Sequence, residues 1–446
     1  MSIQIKQSTM VRPAEETPNK SLWLSKIDMI LRTPYSHTGA VLIYKQPDNN
    51  EDNIHPSSSM YFDANILIEA LSKALVPYYP MAGRLKINGD RYEIDCNAEG
   101  ALFVEAESSH VLEDFGDFRP NDELHRVMVP TCDYSKGISS FPLLMVQLTR
   151  FRCGGVSIGF AQHHHACDGM SHFEFNNSWA RIAKGLLPAL EPVHDRYLHL
   201  RLRNPPQIKY THSQFEPFVP SLPNELLDGK TNKSQTLFKL SREQINTLKQ
   251  KLDLSSNTTT RLSTYEVVAG HVWRSVSKAR GLSDHEEIKL IMPVDGRSRI
   301  NNPSLPKGYC GNVVFLAVCT ATVGDLSCNP LTDTAGKVQE ALKGLDDDYL
   351  RSAIDHTESK PDLPVPYMGS PEKTLYPNVL VNSWGRIPYQ AMDFGWGSPT
   401  FFGISNIFYD GQCFLIPSQN GDGSMTLAIN LFSSHLSLFK KYFYDF

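Results

Sequence analysis

Several things are missing from this 446-residue chain. Its eight cysteines include no C-x-x-C pair, and their spacing suggests neither a zinc knuckle nor a disulfide framework. The first residues, MSIQIKQSTM, lack the apolar h-region of a signal peptide. The most apolar stretch, residues 312–323, contains Cys319 and two threonines and is too short to span a bilayer. Positive charge is not in excess: 43 Lys and Arg stand against 48 Asp and Glu, for a net charge of -5, so no basic face for nucleic acid is implied. No repeat of solenoid period is present, nor any low-complexity tract. The simplest reading is a reduced cytosolic protein with neither a membrane nor a nucleic-acid partner. A hydrophobic fraction of 41% is enough for a core, and the length suits two ordinary domains or one large one.

Helix and strand signals alternate throughout, which predicts a mixed α/β fold. Asp63 can cap a helix with Ile66, Leu67, Ala70, Leu71 and Leu75 on one face, ended by Pro77 and Pro80. GRLKINGDRYEID reads as a hairpin turning at Asn88-Gly89. FPLLMVQLTRF and GVSIGFAQHHH read as strands, and a helical pattern follows Asp168. Residues 201–233, rich in proline and asparagine, read as a crossover between a first half, 1–200, and a second, 234–446. Two capping boxes, Ser241 to Gln244 and Ser263 to Glu266, start helices in the second half. IKLIMPVDGRSR reads as a strand ending in a turn, and CFLIPSQNGDGSMTLAINL as a hairpin.

The stretch that invites chemistry is FAQHHHACDG, residues 160–169, placed where a strand gives way to a helix. A metal needs three or four converging ligands. On a strand, His163 and His165 share one face and His164 the other, and neither H-e-x-x-H nor C-x-x-C stands nearby to complete a set. Inert strand-end histidines are the plain alternative, and His172, His194 and His271 suit it. The third reading is general-base catalysis, since an imidazole titrates near neutral pH. His164 stands four residues before Asp168, which need not touch it and can instead hold the loop or an arginine. Cys167 beside Asp168 has no neighbour that would make it a thiolate nucleophile.

A second motif, DFGWG at residues 393–397, changes the weighing. With HHACDG it resembles the BAHD family of plant acyl-CoA-dependent acyltransferases. STMVRPAEETP, SLWLSKID, EALSKALVPYYPMAGRL, CGGVSIG, STYEVVAGHVWRS, PVDGRSR and KGYCGN extend the resemblance along the chain, to the hydroxycinnamoyl branch. It implies two similar chloramphenicol-acetyltransferase-like domains with a channel between them, and a monomer. It also implies His164 as the base meeting acyl-CoA and acceptor, with Asp168 paired to Arg297 and followed by Gly169. Asp393 is implied as essential beside it, within a structural Phe394-Gly395-Trp396-Gly397 loop. The acyl-CoA, a co-substrate with no further cofactor or metal, is expected at Ser263 and Thr264, at Arg297, Ser298 and Arg299, and at Ser383, Trp384 and Arg386. Trp384 and Asn382, where relatives carry threonine, are expected at the carbonyl or oxyanion. A helix N-terminus such as Ser263 offers free N–H groups to phosphate, although Ser263 can equally be a plain cap.

For the acceptor, acid-using relatives carry an arginine in the segment corresponding to YMGSPEKTLYP, where this chain places glycine near Glu372. With Asp355 and Glu358 as further carboxylates, and segment wording nearest to branch members that acylate spermidine, the expected reaction is hydroxycinnamoyl transfer from hydroxycinnamoyl-CoA to spermidine nitrogens. O-acylation of shikimate, quinate or a phenolic lactate is the alternative. A non-catalytic binding protein is disfavoured by the intact His164, and a carrier-dependent condensation domain by the STYE and DGRSR segments.

Overall fold

The structure is a computed structural model that describes residues 2–29, 33–46, 61–215, 222–223, 232–253, 261–362, 368, 373–385, 387, 389–418 and 421–446. Its strands are β1 (Ile3–Val11), β2 (Ser21–Trp23), β3 (His37–Tyr44), β4 (Arg84–Asn88), β5 (Arg91–Asp95), β6 (Ala101–Ser108), β7 (Leu144–Phe151) and β8 (Val156–His163). After the crossover come β9 (Lys233–Leu240), β10 (Glu287–Asp295), β11 (Val314–Thr322), β12 (Val379–Ser383), β13 (Phe401–Ile404), β14 (Gln412–Pro417) and β15 (Met425–Phe432). One six-stranded sheet runs β1-β6-β7-β8-β3-β13 and another β11-β10-β12-β14-β15-β9, while β2-β5-β4 form a small third sheet. Both large sheets are mixed: β6 and β7 are parallel in the first, and β12 is parallel to β10 and β14 in the second.

Each large sheet is packed by helices that the sequence specifies locally. Helix Ala64–Ala74 starts where the Asp63 carboxylate accepts from the Asn65 N–H, and buries Leu67, Ala70 and Leu71. Beside it lies Gly169–Ala183, whose Trp179 indole is fully buried and donates to the Leu67 carbonyl at 2.9 Å. In the second half, Thr264–Arg280 has both halves of the Ser263/Glu266 capping box and buries Trp273. Among the described residues no helix is long and apolar enough to cross a membrane.

The structure corrects two sequence expectations here. In the first hairpin Asn88 pairs with Arg91, so the turn is Gly89-Asp90 rather than Asn88-Gly89. Asn88 stays in the ladder because its amide donates to Glu93 at 2.9 Å. The boundary at residue 234 also fails to separate the sheets. β13 crosses back and becomes the edge strand of the first sheet, with Phe401 to Ile404 registered on Ile43 to Ala40.

The described part of the crossover is strapped to helix Asp347–Glu358 in the second half. Asp355, fully buried, accepts from the Arg203 N–H at 3.0 Å, Arg203 Nε at 2.8 Å and the Gln207 N–H at 2.7 Å. Ser352 Oγ accepts from the Lys209 N–H at 2.9 Å, and Lys209 pairs with Asp348. Removing one partner of such a buried pair strands the other. Asp355→Ala should therefore lower unfolding stability by about 3 kcal/mol, read from urea midpoints.

Candidate active site

All eight residues of β8 are buried, between β7 and β3. The chain leaves the strand at His163, turns through 164–166, and enters a helix capped by Asp168, which accepts from the Ser171 N–H at 3.0 Å. This turn sorts the three histidines. His163 and His165 are buried, with rings 4.9 Å apart, while His164 alone is partly exposed. His163 accepts at Nδ1 from the His165 N–H, which leaves Nε2 to donate to the Pro34 carbonyl at 2.8 Å. That tautomer is neutral, and burial, with His165 and His37 as neighbours, pushes its pKa far down. Burial and then the charge of His164 bring His172 to about 3. His163 and His172 therefore stay neutral near pH 7. No cluster among the described residues could hold a metal ion. Cys167 is buried and its thiol pushed up by that burial, which does not favour a thiolate.

Asp168 is committed to the second half of the chain. Its carboxylate is gripped by Arg297 at 2.8 and 3.0 Å and accepts from the Val313 N–H at 3.0 Å. Burial alone would raise the carboxyl, but the guanidinium and the N–H groups of Ser171 and Val313 outweigh it and hold it below the ordinary range. Arg297 also donates to Asp295, Ser171 Oγ and the Gly311 carbonyl. Both of its terminal nitrogens are thus engaged within the protein, holding Asp168 and the 309–313 segment. Arg299 Nη1 donates to the Leu342 and Leu345 carbonyls at 2.7 and 2.8 Å, at the end of helix Leu331–Lys343. Ser298 between them is exposed.

The other expected CoA elements do meet. Tyr265 Oη donates to the Val381 carbonyl at 2.8 Å, which holds the Ser263-Thr264 helix start against β12, just before Asn382, Ser383 and Trp384. Lys249 Nζ donates to Thr264 Oγ1 at 2.6 Å, a cation at this helix start that the sequence reading missed. Asn382 is partly exposed and Ser383 exposed at the end of β12, and Arg386 lies outside the described residues. Trp384 stacks on Phe402 of β13 with centroids 4.9 Å apart, bringing a second-half residue onto the first core. Phe402 also lines a cleft of about 650 Å³ between β13 and the β14–β15 pair, with Ile404, Ile416 and Ala428.

DFGWG belongs elsewhere. Asp393 accepts from the Gly395 and Gly397 N–H groups at 2.8 and 2.9 Å and pairs with Lys184 at 3.2 Å. Gly395 and Gly397 have φ near 107° and 101°, a region that favours glycine. Phe394 packs edge-on to Trp179, and Trp396 lies against Phe62. Lys184 follows the C-terminal end of the helix that Asp168 caps. The 15 residues between them set the two ends apart by about 22 Å. The expectation of Asp393 as a catalytic residue is corrected on that geometry.

The polyamine carboxylates are corrected too. Asp355 holds the crossover. Glu358, its side chain 3% exposed, accepts from the Lys26 N–H at 2.6 Å and from both Arg91 Nη atoms at 3.3 Å. Burial raises its carboxyl despite those donors. Both are buried and paired within the protein, not solvated at its surface. Glu372 lies outside the described residues.

Sequence reasoning missed the support beneath His164. Asn312 Nδ2 donates to the His164 carbonyl at 2.8 Å and to Asp28 Oδ1 at 3.1 Å. Asp28 is fully buried and also accepts from the Ser25 N–H and Oγ. The one local signal was an aspartate set among apolar residues in IDMI.

Residues 1–446 match the Transferase family. The chain belongs to that family, the BAHD acyltransferases. An anthranilate N-benzoyltransferase protein 1 of Dianthus caryophyllus is 97% identical over 446 residues, covering 100% of both chains. A shikimate O-hydroxycinnamoyltransferase of Nicotiana tabacum is 46% identical over 452 residues, again covering 100% of both. The crystal structure of vinorine synthase superposes with a TM-score of 0.74 at 22% identity, covering 98% of this chain and 96% of that one, which shows a common fold.

Two variants separate the roles of the motifs. His164→Ala should lower kcat by about 10²–10⁴-fold and leave CoA affinity near parental by calorimetry. Asp393→Ala should keep the kcat of the folded fraction and cost about 1–2 kcal/mol of stability from its lost N–H acceptors. Acid should act through Asp168. Its folded pKa lies below the unfolded value, so its stabilisation is present above about pH 4 and is lost as pH falls through the folded value. Urea midpoints taken down that range should decline, and more shallowly in Asp168→Asn.

Proposed function

We propose that this enzyme transfers an aromatic acyl group from its CoA thioester to the amino nitrogen of anthranilate, as a cytosolic monomer with no cofactor beyond the co-substrate. The observation that carries the reading is the identity of 97% along the whole chain with the Dianthus caryophyllus anthranilate N-benzoyltransferase. The geometry agrees with it. His164 is the one histidine of its motif turned partly to solvent, on a turn anchored by Arg297 and Asn312 of the second half.

In this mechanism His164 takes the proton as the nitrogen attacks the thioester carbonyl. Trp384 and Asn382 face the tetrahedral oxyanion, where one lost donor costs ~3–4 kcal/mol of barrier. Collapse expels CoA thiolate, and the imidazolium returns the proton. Anthranilate suits an imidazole base, because an aryl amine is already neutral at pH 7. A polyamine ammonium must first lose a proton, at a cost of ~4 kcal/mol. With Asp355 and Glu358 committed elsewhere, spermidine loses the two described carboxylates that would have held it.

An acceptor panel tests this: benzoyl- and p-coumaroyl-CoA against anthranilate, spermidine and shikimate, with products read by mass. The expected major product is the N-acylanthranilate. Faster formation of a spermidine amide or a shikimate ester would overturn the reading. pH adds a second discriminator. A spermidine rate should climb by about tenfold per pH unit toward the amine pKa, a rise that the anthranilate rate should not show.

A further inference from the structure

The first half passes into the crossover through a short helix, Arg196–Leu200. Its first residue is among the most deeply buried large side chains in the molecule, at 1% exposure. The Arg196 guanidinium runs under the catalytic turn. Nη1 donates to the His165 carbonyl and to Asp28 Oδ1, both at 3.3 Å. Nη2 donates to the Ala166 carbonyl and, at 3.4 Å, to that of Cys310. Since Asn312 already holds the His164 carbonyl, three consecutive carbonyls of the turn are tied down. Both holding side chains converge on one atom, Asp28 Oδ1. Space is cleared for the guanidinium: a Cβ on Gly311 would lie 2.8 Å from Arg196 Nε and 3.2 Å from the Tyr309 ring.

A buried ion pair is a poor way to add stability, because apolar residues of similar volume do as well or better. What the arginine supplies is shape. Its planar fork reaches several acceptors at once, while a lysine ammonium presents a single point. The acceptors here are the peptide groups that decide where the His164 ring stands.

We propose that Arg196 is a positioning residue for acyl transfer, fixing through the carbonyls of His165 and Ala166 the turn that presents the His164 imidazole. This rests on the reading of His164 as the base. The crossover is then part of the catalytic support as well as a connection. A base displaced by about 1 Å loses on the order of 100-fold in rate, so the effect falls on kcat rather than on substrate affinity.

The test is Arg196→Lys, with folding checked by circular dichroism and thermal melting. Two readouts follow: steady-state kinetics, and amide hydrogen exchange over residues 163–168, where the His165, Ala166 and Asp168 N–H groups bond to His163 Nδ1, His163 O and Gly311 O. The expected result is a folded protein with kcat lowered about 10–100-fold, near-parental KM for acyl-CoA and amine, and faster exchange in the turn. A folded Arg196→Lys with parental kcat, or with parental exchange in the turn, overturns the proposal. If that variant does not fold, Gly311→Ala crowds Nε instead, and parental kcat there overturns it equally. The exchange arm needs no substrate, so it decides the role of Arg196 even if anthranilate proves not to be the acceptor.

Discussion

The grip of Arg297 on Asp168 is the constraint on which the rest of the site depends. The arginine comes from the turn after β10 in the second half, and the aspartate caps the helix after β8 in the first. Two hydrogen bonds of 2.8 and 3.0 Å in a buried setting make the joint directional as well as strong. It sets the helix start, and through it the turn with His164, against residues 309–313. The motif aspartate fixes the junction of the two halves, and its carboxylate is spent on Arg297 and on the Ser171 and Val313 N–H groups.

A second layer of buried polar groups repeats this logic below the turn. Asp28, Asn312 and Arg196 come from three distant parts of the chain and meet under the His164–Ala166 carbonyls. A network of this sort is costly when incomplete and specific when complete. It explains how a partly exposed histidine can hold a defined position at the end of a strand. The helix after the turn is tied down at its far end by Lys184 and Asp393, which gives DFGWG a mechanical part to play at a distance.

What was legible in the sequence was local or came by resemblance. The Asp63 cap, the Ser241 and Ser263 capping boxes and the strand-to-helix passage at HHHACDG are written within a few neighbouring residues. The Arg297 partner and the CoA elements entered only through likeness to a family. Asp355 and Glu358 misled because charge alone does not reveal a partner. Arg203 is 152 residues from the first, and Arg91 is 267 from the second. Arg196 looked like one more basic residue near a proline-rich stretch, since nothing local marks a guanidinium as buried. β13 went unread within the second half for a related reason: four residues carry little periodicity, and their pairing partner lies in the other half of the chain.

That returning strand bears on how the protein is made. β3 has β8 on one side and, until β13 arrives, a bare edge on the other. Ile43 and its partner Thr400 are separated by 357 positions. At 5–20 residues per second, a ribosome would leave that apolar edge uncovered for roughly 20–70 s. An open strand of this kind invites pairing with other chains. The window in which a nascent copy is most prone to aggregate is thus set by the distance between two strands in the gene, and the two halves are poor candidates for separate expression.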